Sequence, residues 1–252
     1  MKVKRSFLFV VVLMSFVMLA GFQDQAFCAP VFIDFDTPTY TPGNLYGQNS
    51  WGGNDVGGIQ VTNAESQNGD QSIKVNAGQG GNAGIDYLDI GAVADQFMWK
   101  FYWKPDNTNN GWTKTWLESA VGAKDGPTLS FIGDGTISYY YNDGAQRSQQ
   151  IITGLNQEDW LAVVVIGDST TRAYDVYLND LELSNRIADD IPFDGNFSPP
   201  TELNYLNFQS TGSIGANTHY YDSVHIGAVP VPAAVWLLGS GLIGLVGIRR
   251  RG

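Results

Sequence analysis

Cysteine, histidine and basic residues are scarce in this chain of 252 residues. It has one Cys, two His and 14 Lys or Arg against 25 Asp or Glu, which gives a formal net charge of −11. A single cysteine excludes a disulfide framework and a thiolate metal site, and the acidic balance argues against a nucleic-acid partner. The 30 Gly and the 13 Phe, 12 Tyr and 7 Trp are typical of many strands joined by tight turns.

Residues 1–28 have the pattern of a secretory signal peptide. Three basic residues precede an almost wholly apolar run from Ser6 to Phe22. Ala26 and Cys28 supply the small side chains that a cut after Cys28 requires. A lipoprotein signal would need a small residue before the cysteine, and Phe27 stands there. We therefore expect an exported protein that loses its only cysteine with the signal.

The other end combines a proline motif, an apolar segment and a basic cluster. Val229 to Ile248 contains no charged residue, and Arg249–Arg251 follow it directly. A helix over this segment would be about 30 Å long, enough to cross a bilayer core, and the arginines would stay on the cytoplasmic side. We expect a single transmembrane helix in residues 229–252, in preference to a buried C-terminal helix.

This tail resembles the PEP-CTERM sorting signal of Gram-negative bacteria. The residues that carry the match in its motif and basic end are Val229, Pro230, Val231, Pro232, Arg249, Arg250 and Arg251. Val231 departs from the commonest form, which has Glu there, and brings the tail closer to the Val-Pro-Leu-Pro-Ala-Ala variant. The resemblance implies the secretion machinery and an exosortase, a membrane transpeptidase that cleaves near the motif, as partners. It implies an intermediate anchored in the inner membrane and then a place on the cell surface or in the extracellular matrix.

Residues 29–228 have the pattern of one all-β domain. Without the two ends the chain loses six of its 14 basic residues and one of its 25 acidic residues, so this part carries a formal −16. Phe97 to Lys104 alternates aromatic with polar or flexible side chains, which predicts a strand buried on one face. Thr128–Ile132 and Thr136–Tyr141 flank Gly133-Asp134-Gly135, which predicts a hairpin. About ten such strands indicate a two-sheet antiparallel sandwich.

Several segments resemble the concanavalin A-like, or laminin-G-like, jelly roll. They are Gly69–Val75, the strand that begins near Trp160, Tyr174–Asp180 and Tyr220–Ile226. An immunoglobulin-like sandwich is the alternative, but it needs only about 100 residues, so two would have to fit here.

No catalytic motif stands out, although the jelly-roll family includes glycan hydrolases and lyases. Retaining hydrolases need two carboxylates about 5–5.5 Å apart, and the Glu-x-Asp-x-x-Glu string of laminarinase-like enzymes is missing. Asp180 and Glu182 could share a face, but they flank an expected hairpin tip. His219 and His225 would lie about 20 Å apart along one strand, which excludes a shared metal or an acid–base pair within it.

One acidic residue is expected on the core side of the last strand. Asp222 alternates onto the same face as Val224 and Ile226, and a buried carboxylate must be paired or coordinated. In the jelly-roll family a structural calcium ion often sits where the first and last strands meet. By resemblance Asp34 and Asp222 would be its ligands, with Asp36 as a third. The alternative is that Asp222 pairs with a lysine or a backbone donor.

Carbohydrate binding would require aromatic platforms beside polar groups. Trp112 and Trp116 lie in a polar stretch that contains glycine, and Tyr139 and Tyr141 are further candidates. Trp99, Phe101 and Trp103 alternate in a strand and are expected in the core. The sequence favours a non-catalytic, exported surface or matrix protein that adheres or binds polysaccharide. The alternatives are a divergent glycan hydrolase or lyase on the same fold and a structural matrix protein without a ligand.

Overall fold

The computed structural model describes residues 29–54, 58–76, 84–93, 95–106, 111–142, 146–156, 158–195, 202–210 and 218–229. The expected signal peptide (1–28) and the sorting tail from Pro230 onward lie outside this range, so both stay predictions. Among the described residues, no helix is long and apolar enough to cross a membrane.

The described part of the chain forms sixteen strands and one 3-10 turn, Leu183–Asn185. The strands are β1 (Val31–Ile33), β2 (Gly43–Asn44), β3 (Gly52–Gly53), β4 (Ile59–Thr62), β5 (Ser72–Asn76), β6 (Ile85–Val93), β7 (Gln96–Asp106), β8 (Trp112–Glu118), β9 (Thr128–Ile132), β10 (Thr136–Asn142), β11 (Gln146–Ile152), β12 (Leu161–Asp168), β13 (Ala173–Leu178), β14 (Arg186–Pro192), β15 (Leu203–Ser210) and β16 (Thr218–Ala228).

Two antiparallel sheets face each other across one main apolar core. Sheet 1 has nine strands in the order β14-β13-β12-β7-β16-β5-β4-β2, and β1 also pairs with β16. Sheet 2 has seven strands in the order β11-β10-β9-β8-β15-β6-β3. Every strand pair in the described part is antiparallel, so the expectation of an all-β, two-sheet antiparallel sandwich is confirmed.

Strand β7 shows how the alternating sequence produces the sandwich. Phe97, Trp99, Phe101 and Trp103 are at most 1% exposed and fill the space between the sheets. The intervening side chains lie on the outer face of sheet 1, because successive residues of a strand point in opposite directions. Full burial of a large apolar side chain contributes about 1.5–3 kcal/mol, so this one strand anchors much of the core.

A bulge in β16 separates its two neighbours on one edge. Thr218–Tyr221 pair with β5, and Val224–Ile226 pair with β1. The register against β7 shifts between Asp222 and His225, and Ser223 has φ 49°. The extra residue turns the Asp222 carboxylate toward the loop between β4 and β5.

The polar stretch that contains Trp112 and Trp116 forms the regular strand β8. The chain at the expected hairpin tip near Asp180 and Glu182 continues into the 3-10 turn Leu183–Asn185, and the next strand begins only at Arg186. There Asp180 Oδ1 accepts hydrogen bonds from the Glu182 backbone N–H (2.9 Å) and from Asn185 Nδ2 (2.6 Å), which keeps the chain in a turn.

Candidate functional site

The outer face of sheet 2 carries aromatic and polar side chains together. On β8, Thr113 points into the core, where its hydroxyl oxygen lies 2.6 Å from that of Tyr221. Alternation therefore turns Trp112, Lys114 and Trp116 outward. Corresponding positions of the neighbouring strands complete this surface, which we call the aromatic face. Its members are Tyr87, Trp112, Lys114, Trp116, Tyr140, Tyr205 and Asn207.

A cavity of about 250 Å³ opens on the aromatic face between β3, β6, β15 and β8. Tyr87, Trp116, Asn207, Glu118 and Lys124 are among its lining residues. The strand register places Asn207 opposite Trp116 on one side and opposite Tyr87 on the other. The cavity thus has an amide at its centre and an aromatic ring on each flank.

The Asn207 side chain is the least satisfied polar group of the cavity. The residue is 1% exposed, and neither Oδ1 nor Nδ2 has a hydrogen-bond partner in the described part of the chain. Leaving a buried polar group without a partner costs about 1–3 kcal/mol. An amide offers both a donor and an acceptor, so it can serve two adjacent hydroxyl groups of a ligand.

Tyr87 is positioned by contacts on two sides. Its ring lies at a right angle to that of Tyr205, with 6.0 Å between the centroids. On the other side, a Cβ added at Gly52 would come within 2.6 Å of Tyr87 Cζ, so the ring packs directly against a glycine backbone. A larger residue at position 52 would force the ring away from the strand.

Glu118 holds a loop over one end of the cavity. Its carboxylate is fully buried and accepts hydrogen bonds from Trp116 Nε1 (2.9 Å), the Gly122 backbone N–H (2.9 Å) and the Lys124 backbone N–H (3.0 Å). Asp125 closes the same loop by accepting hydrogen bonds from the backbone and the hydroxyl of Ser119. The indole N–H of Trp116 and the backbone N–H groups of Gly122 and Lys124 all donate to the Glu118 carboxylate. Glu118 therefore fixes both the indole ring and the loop 119–125.

Lys114 contributes a cation that is surrounded by aromatic rings. Its Nζ lies 3.3 Å from the centroid of the Tyr140 ring and 5.0 Å from that of the Trp112 ring. Burial lowers the pKa of Lys114 to about 8, and the nearby charge of Lys124 acts in the same direction, while Asp194 raises it. Burial also raises the pKa of the Tyr140 hydroxyl, so that ring stays neutral beside the ammonium group.

The structure brings together only two of the four expected sugar-binding aromatics. Trp112 and Trp116 share the aromatic face, but Trp116 is 2% exposed and forms a wall of the cavity instead of an open platform. Tyr139 packs against the main core, and Tyr141 follows it on that side, with 5.6 Å between the two ring centroids. Tyr139 and Tyr141 therefore point away from the aromatic face, because Tyr140 between them occupies the outward position.

The expected calcium ligands are only partly brought together. Asp36 Oδ1 accepts hydrogen bonds of 2.8 and 3.0 Å from two consecutive backbone N–H groups in the loop 65–71. Asp222 Oδ2 accepts bonds of 2.8 and 3.1 Å from two others in the same loop. Asp34 is exposed and accepts a bond of 3.2 Å from the Asp36 backbone N–H. The loop thus joins the carboxylates of Asp36 and Asp222, while Asp34 stays outside.

Asp222 is a buried acid near a second acid. Burial raises its pKa to about 6 although three backbone N–H groups lower it, and the charge of Asp36 raises it further. Neither carboxylate has an ion pair among the described residues. Backbone N–H groups of Gln67, Asn68 and Ser223 thus pair with Asp222, which is the alternative to calcium that the sequence left open, and the calcium site stays a prediction. Gly69 lies directly against Asp36, since an added Cβ would overlap that carboxylate.

A third acidic group was not expected as a site. Ligand oxygens of Asp175, Asp189 and Asp190 lie within 4.8 Å of one another. Arg186 Nη1 lies 3.5 Å from Asp175 Oδ2 and also pairs with Asp189, so a cation already neutralises part of this group. His219 is likewise occupied, because its Nδ1 accepts a 2.9 Å hydrogen bond from Trp103 Nε1, and burial lowers its pKa to about 4.

Two solved structures share the architecture. A structure titled "Cellulose induced protein, Cip1" has a TM-score of 0.57 at 12% identity, and the match covers 80% of this chain and 98% of that one. A sialidase has a TM-score of 0.56 at 11% identity; the match covers 81% of this chain and only 19% of the sialidase. At these identities the matches show a common fold. No protein-family model matches the chain, and no curated protein is similar to it.

Proposed function

We propose that this protein is a non-catalytic carbohydrate-binding β-sandwich, and that the cavity on the aromatic face receives a sugar ring. The observation that carries the proposal is the unpartnered amide of Asn207 between Tyr87 and Trp116. A sugar ring offers adjacent hydroxyl groups at its edge and an apolar patch on its face. The amide suits the first and the aromatic rings suit the second.

The volume of the cavity suits one sugar ring of a longer glycan. At about 250 Å³ it is slightly smaller than the ~300–1,000 Å³ typical of pockets that enclose a small molecule. A single ring of a longer glycan would enter it, and the rest of the chain would lie along Trp112 and Tyr140.

The arrangement of Glu118 supports binding without catalysis. A general acid or nucleophile needs a carboxylate that can reach the substrate. The Glu118 carboxylate already accepts three hydrogen bonds from the protein, which hold it against Trp116 and the loop 119–125. A glycan hydrolase or lyase would need a second carboxylate facing the cavity, and Glu118 is the only acidic residue that lines it in the described part.

The proposal includes export and sorting. The signal-like segment 1–28 and the tail 229–252 would deliver the domain to the cell surface or the extracellular matrix through an exosortase. A calcium ion held by Asp36 and Asp222 would stabilise the loop 65–71 and neutralise two carboxylates, without a role in binding sugar.

A matched pair of tryptophan variants tests the site. The full-length chain, purified in mild detergent, is screened against a glycan array, and each hit is titrated in solution. Trp112→Ala should weaken binding about tenfold or more, because loss of an aromatic contact removes about 1–2 kcal/mol. Trp160→Ala is the control, since Trp160 is also half-buried but lies beside Tyr220, outside the aromatic face.

Asn207→Leu separates binding from folding. The substitution removes an unsatisfied buried amide, so the free energy of unfolding should stay equal or rise. Glycan binding should nevertheless fall at least tenfold. Absence of any glycan ligand, or an equal loss in Trp160→Ala, would contradict the proposed site.

A further inference from the structure

The aromatic face gathers positive charge in a domain that has little of it. Residues 29–228 contain only eight basic residues and carry a formal −16. Of these eight, Lys124 lies at the cavity and Lys114 lies beside it on the aromatic face. Lys114 precedes the lining residue Trp116 by two positions on the same face of β8.

Lys114 has no carboxylate partner. Within the described residues no Asp or Glu oxygen lies within 4.0 Å of its Nζ, and the printed contacts of that atom are the rings of Tyr140 and Trp112. Buried charges in proteins are normally paired. Cation–π contacts offset only about 0.5–2 kcal/mol of the cost of desolvation, so the ammonium group retains an unused capacity for an anion.

The second lysine makes the arrangement less favourable in the absence of a ligand. The charge of Lys124 lowers the pKa of Lys114, because a like charge disfavours the protonated form. Lys124 is also held at φ 50°, a backbone conformation that costs energy outside glycine. Asp194 compensates part of the effect of the Lys124 charge, because its own charge raises the pKa of Lys114. An anion bound at either lysine would offset this repulsion.

We propose that the cavity and the aromatic face beside it select a glycan that bears anionic groups, carboxylates or sulfates, and that Lys114 and Lys124 bind these groups. This inference rests on the proposed function and names the class of glycan. Exposed charges more than about 8 Å away are largely screened at physiological salt. Glu118, the carboxylate that lines the cavity in the described part, already accepts three hydrogen bonds from the protein. Asn207 would then orient the ring while the lysines recognise its charge.

Paired polysaccharides test the charge directly. The probes are polygalacturonate and its carboxyl-reduced form, and a sulfated galactan and its desulfated form. Binding to the full-length chain is measured in chelator, so that calcium does not bridge acidic groups. At least one charged polysaccharide should bind about tenfold or more tightly than its neutral counterpart, since a hydrogen bond to a charged group is typically worth that factor. The pair that shows the preference identifies carboxylate or sulfate as the recognised group.

Lysine variants assign the preference to the site. Lys114→Met keeps the length and apolar character of the side chain and should abolish the preference, while Lys114→Arg should retain it. Lys124→Gln should reduce it. Lys100→Met is the control, because Lys100 Nζ also lies over an aromatic ring, 5.1 Å from the Tyr102 centroid, but on the outer face of sheet 1. Urea unfolding of each variant verifies that the fold is intact.

The outcomes separate this inference from the proposed function. Equal binding of charged and neutral forms, sensitive to Trp112→Ala, would overturn the anionic preference and leave the carbohydrate site in place. A preference that survives in Lys114→Met would also overturn it. Absence of binding to all four polysaccharides and to the glycan array would overturn both.

Discussion

Replacing Glu118 by alanine should loosen the cavity before it affects the rest of the sandwich. The carboxylate accepts one side-chain and two backbone hydrogen bonds, at 2.9 to 3.0 Å, in a fully buried position. Without it, the indole of Trp116 loses its acceptor, and the loop 119–125 loses its attachment to β8. We expect the loop to open and the Trp116 ring to become mobile.

The three donors determine the size of the effect. A hydrogen bond to a charged group contributes about 1.5–3 kcal/mol, and an orphaned buried donor costs about 1–3 kcal/mol. The backbone N–H groups of Gly122 and Lys124 can turn to water once the loop opens, so the lower figure applies. At about 1 kcal/mol for each donor, Glu118→Ala should lower the free energy of unfolding by about 3 kcal/mol.

Urea unfolding and hydrogen exchange measure the two parts of this prediction. Exchange at Gly122 and Lys124 should accelerate in Glu118→Ala, and glycan affinity should fall with it. Glu182→Ala is the control, because Glu182 is exposed in the turn after β13. A loss below about 1 kcal/mol, with exchange at the loop unchanged, would refute the view that Glu118 holds the cavity closed.

Two further predictions concern Asp222 and the sorting tail. The raised folded-state pKa of about 6 means that protonated Asp222 favours the fold; this contribution is complete below about pH 3.8 and is lost as the pH rises through 6. In chelator, the free energy of unfolding of the protein relative to that of Asp222→Asn should therefore increase by about 2 kcal/mol as the pH falls from 7.5 to 4.5. Millimolar calcium, if held by Asp36 and Asp222, should remove this increase and raise the urea midpoint at pH 7.5. A difference between the two proteins that does not change with pH would contradict the prediction. Replacing Arg249–Arg251 by glutamine should block cleavage near the proline motif in a host that has an exosortase. The mass of the surface-exposed product reports this cleavage, and an unchanged mass would contradict the sorting role.

Local sequence patterns were sufficient to predict much of the sandwich. The hairpin of β9 and β10 has its tip at Gly133–Gly135, because two β-rich segments flank a turn sequence. Phe97, Trp99, Phe101 and Trp103 are buried as their alternation predicted. These features depend on neighbours in the sequence, where propensity and period carry the information.

The cavity depends on registers that a single sequence does not contain. Asn207 meets Trp116 and Tyr87 only because β15 lies between β8 and β6 in one particular register, and a slip by one residue would turn the amide into the core. Within Tyr139–Tyr141 the alternation shows that neighbours oppose each other. Because Ile137 lies in the core and side chains alternate along β10, Tyr139 and Tyr141 face the core side and Tyr140 faces outward. The signal that could have identified Lys114 was its position between Trp112 and Trp116 at a spacing of two.

The two outer faces of the sandwich differ in how their polar groups are satisfied, and this difference favours sheet 2 as the binding surface. On sheet 1, Met98, Val164 and Tyr177 form a small apolar cluster, and Lys104 pairs with Glu65 at 2.9 Å. On sheet 2, the described part of the chain leaves the Asn207 amide without a hydrogen-bond partner and Lys114 without a carboxylate partner, and both residues lie on the aromatic face. Each is unfavourable in the isolated chain, and one ligand with hydroxyl groups and a negative charge would satisfy both.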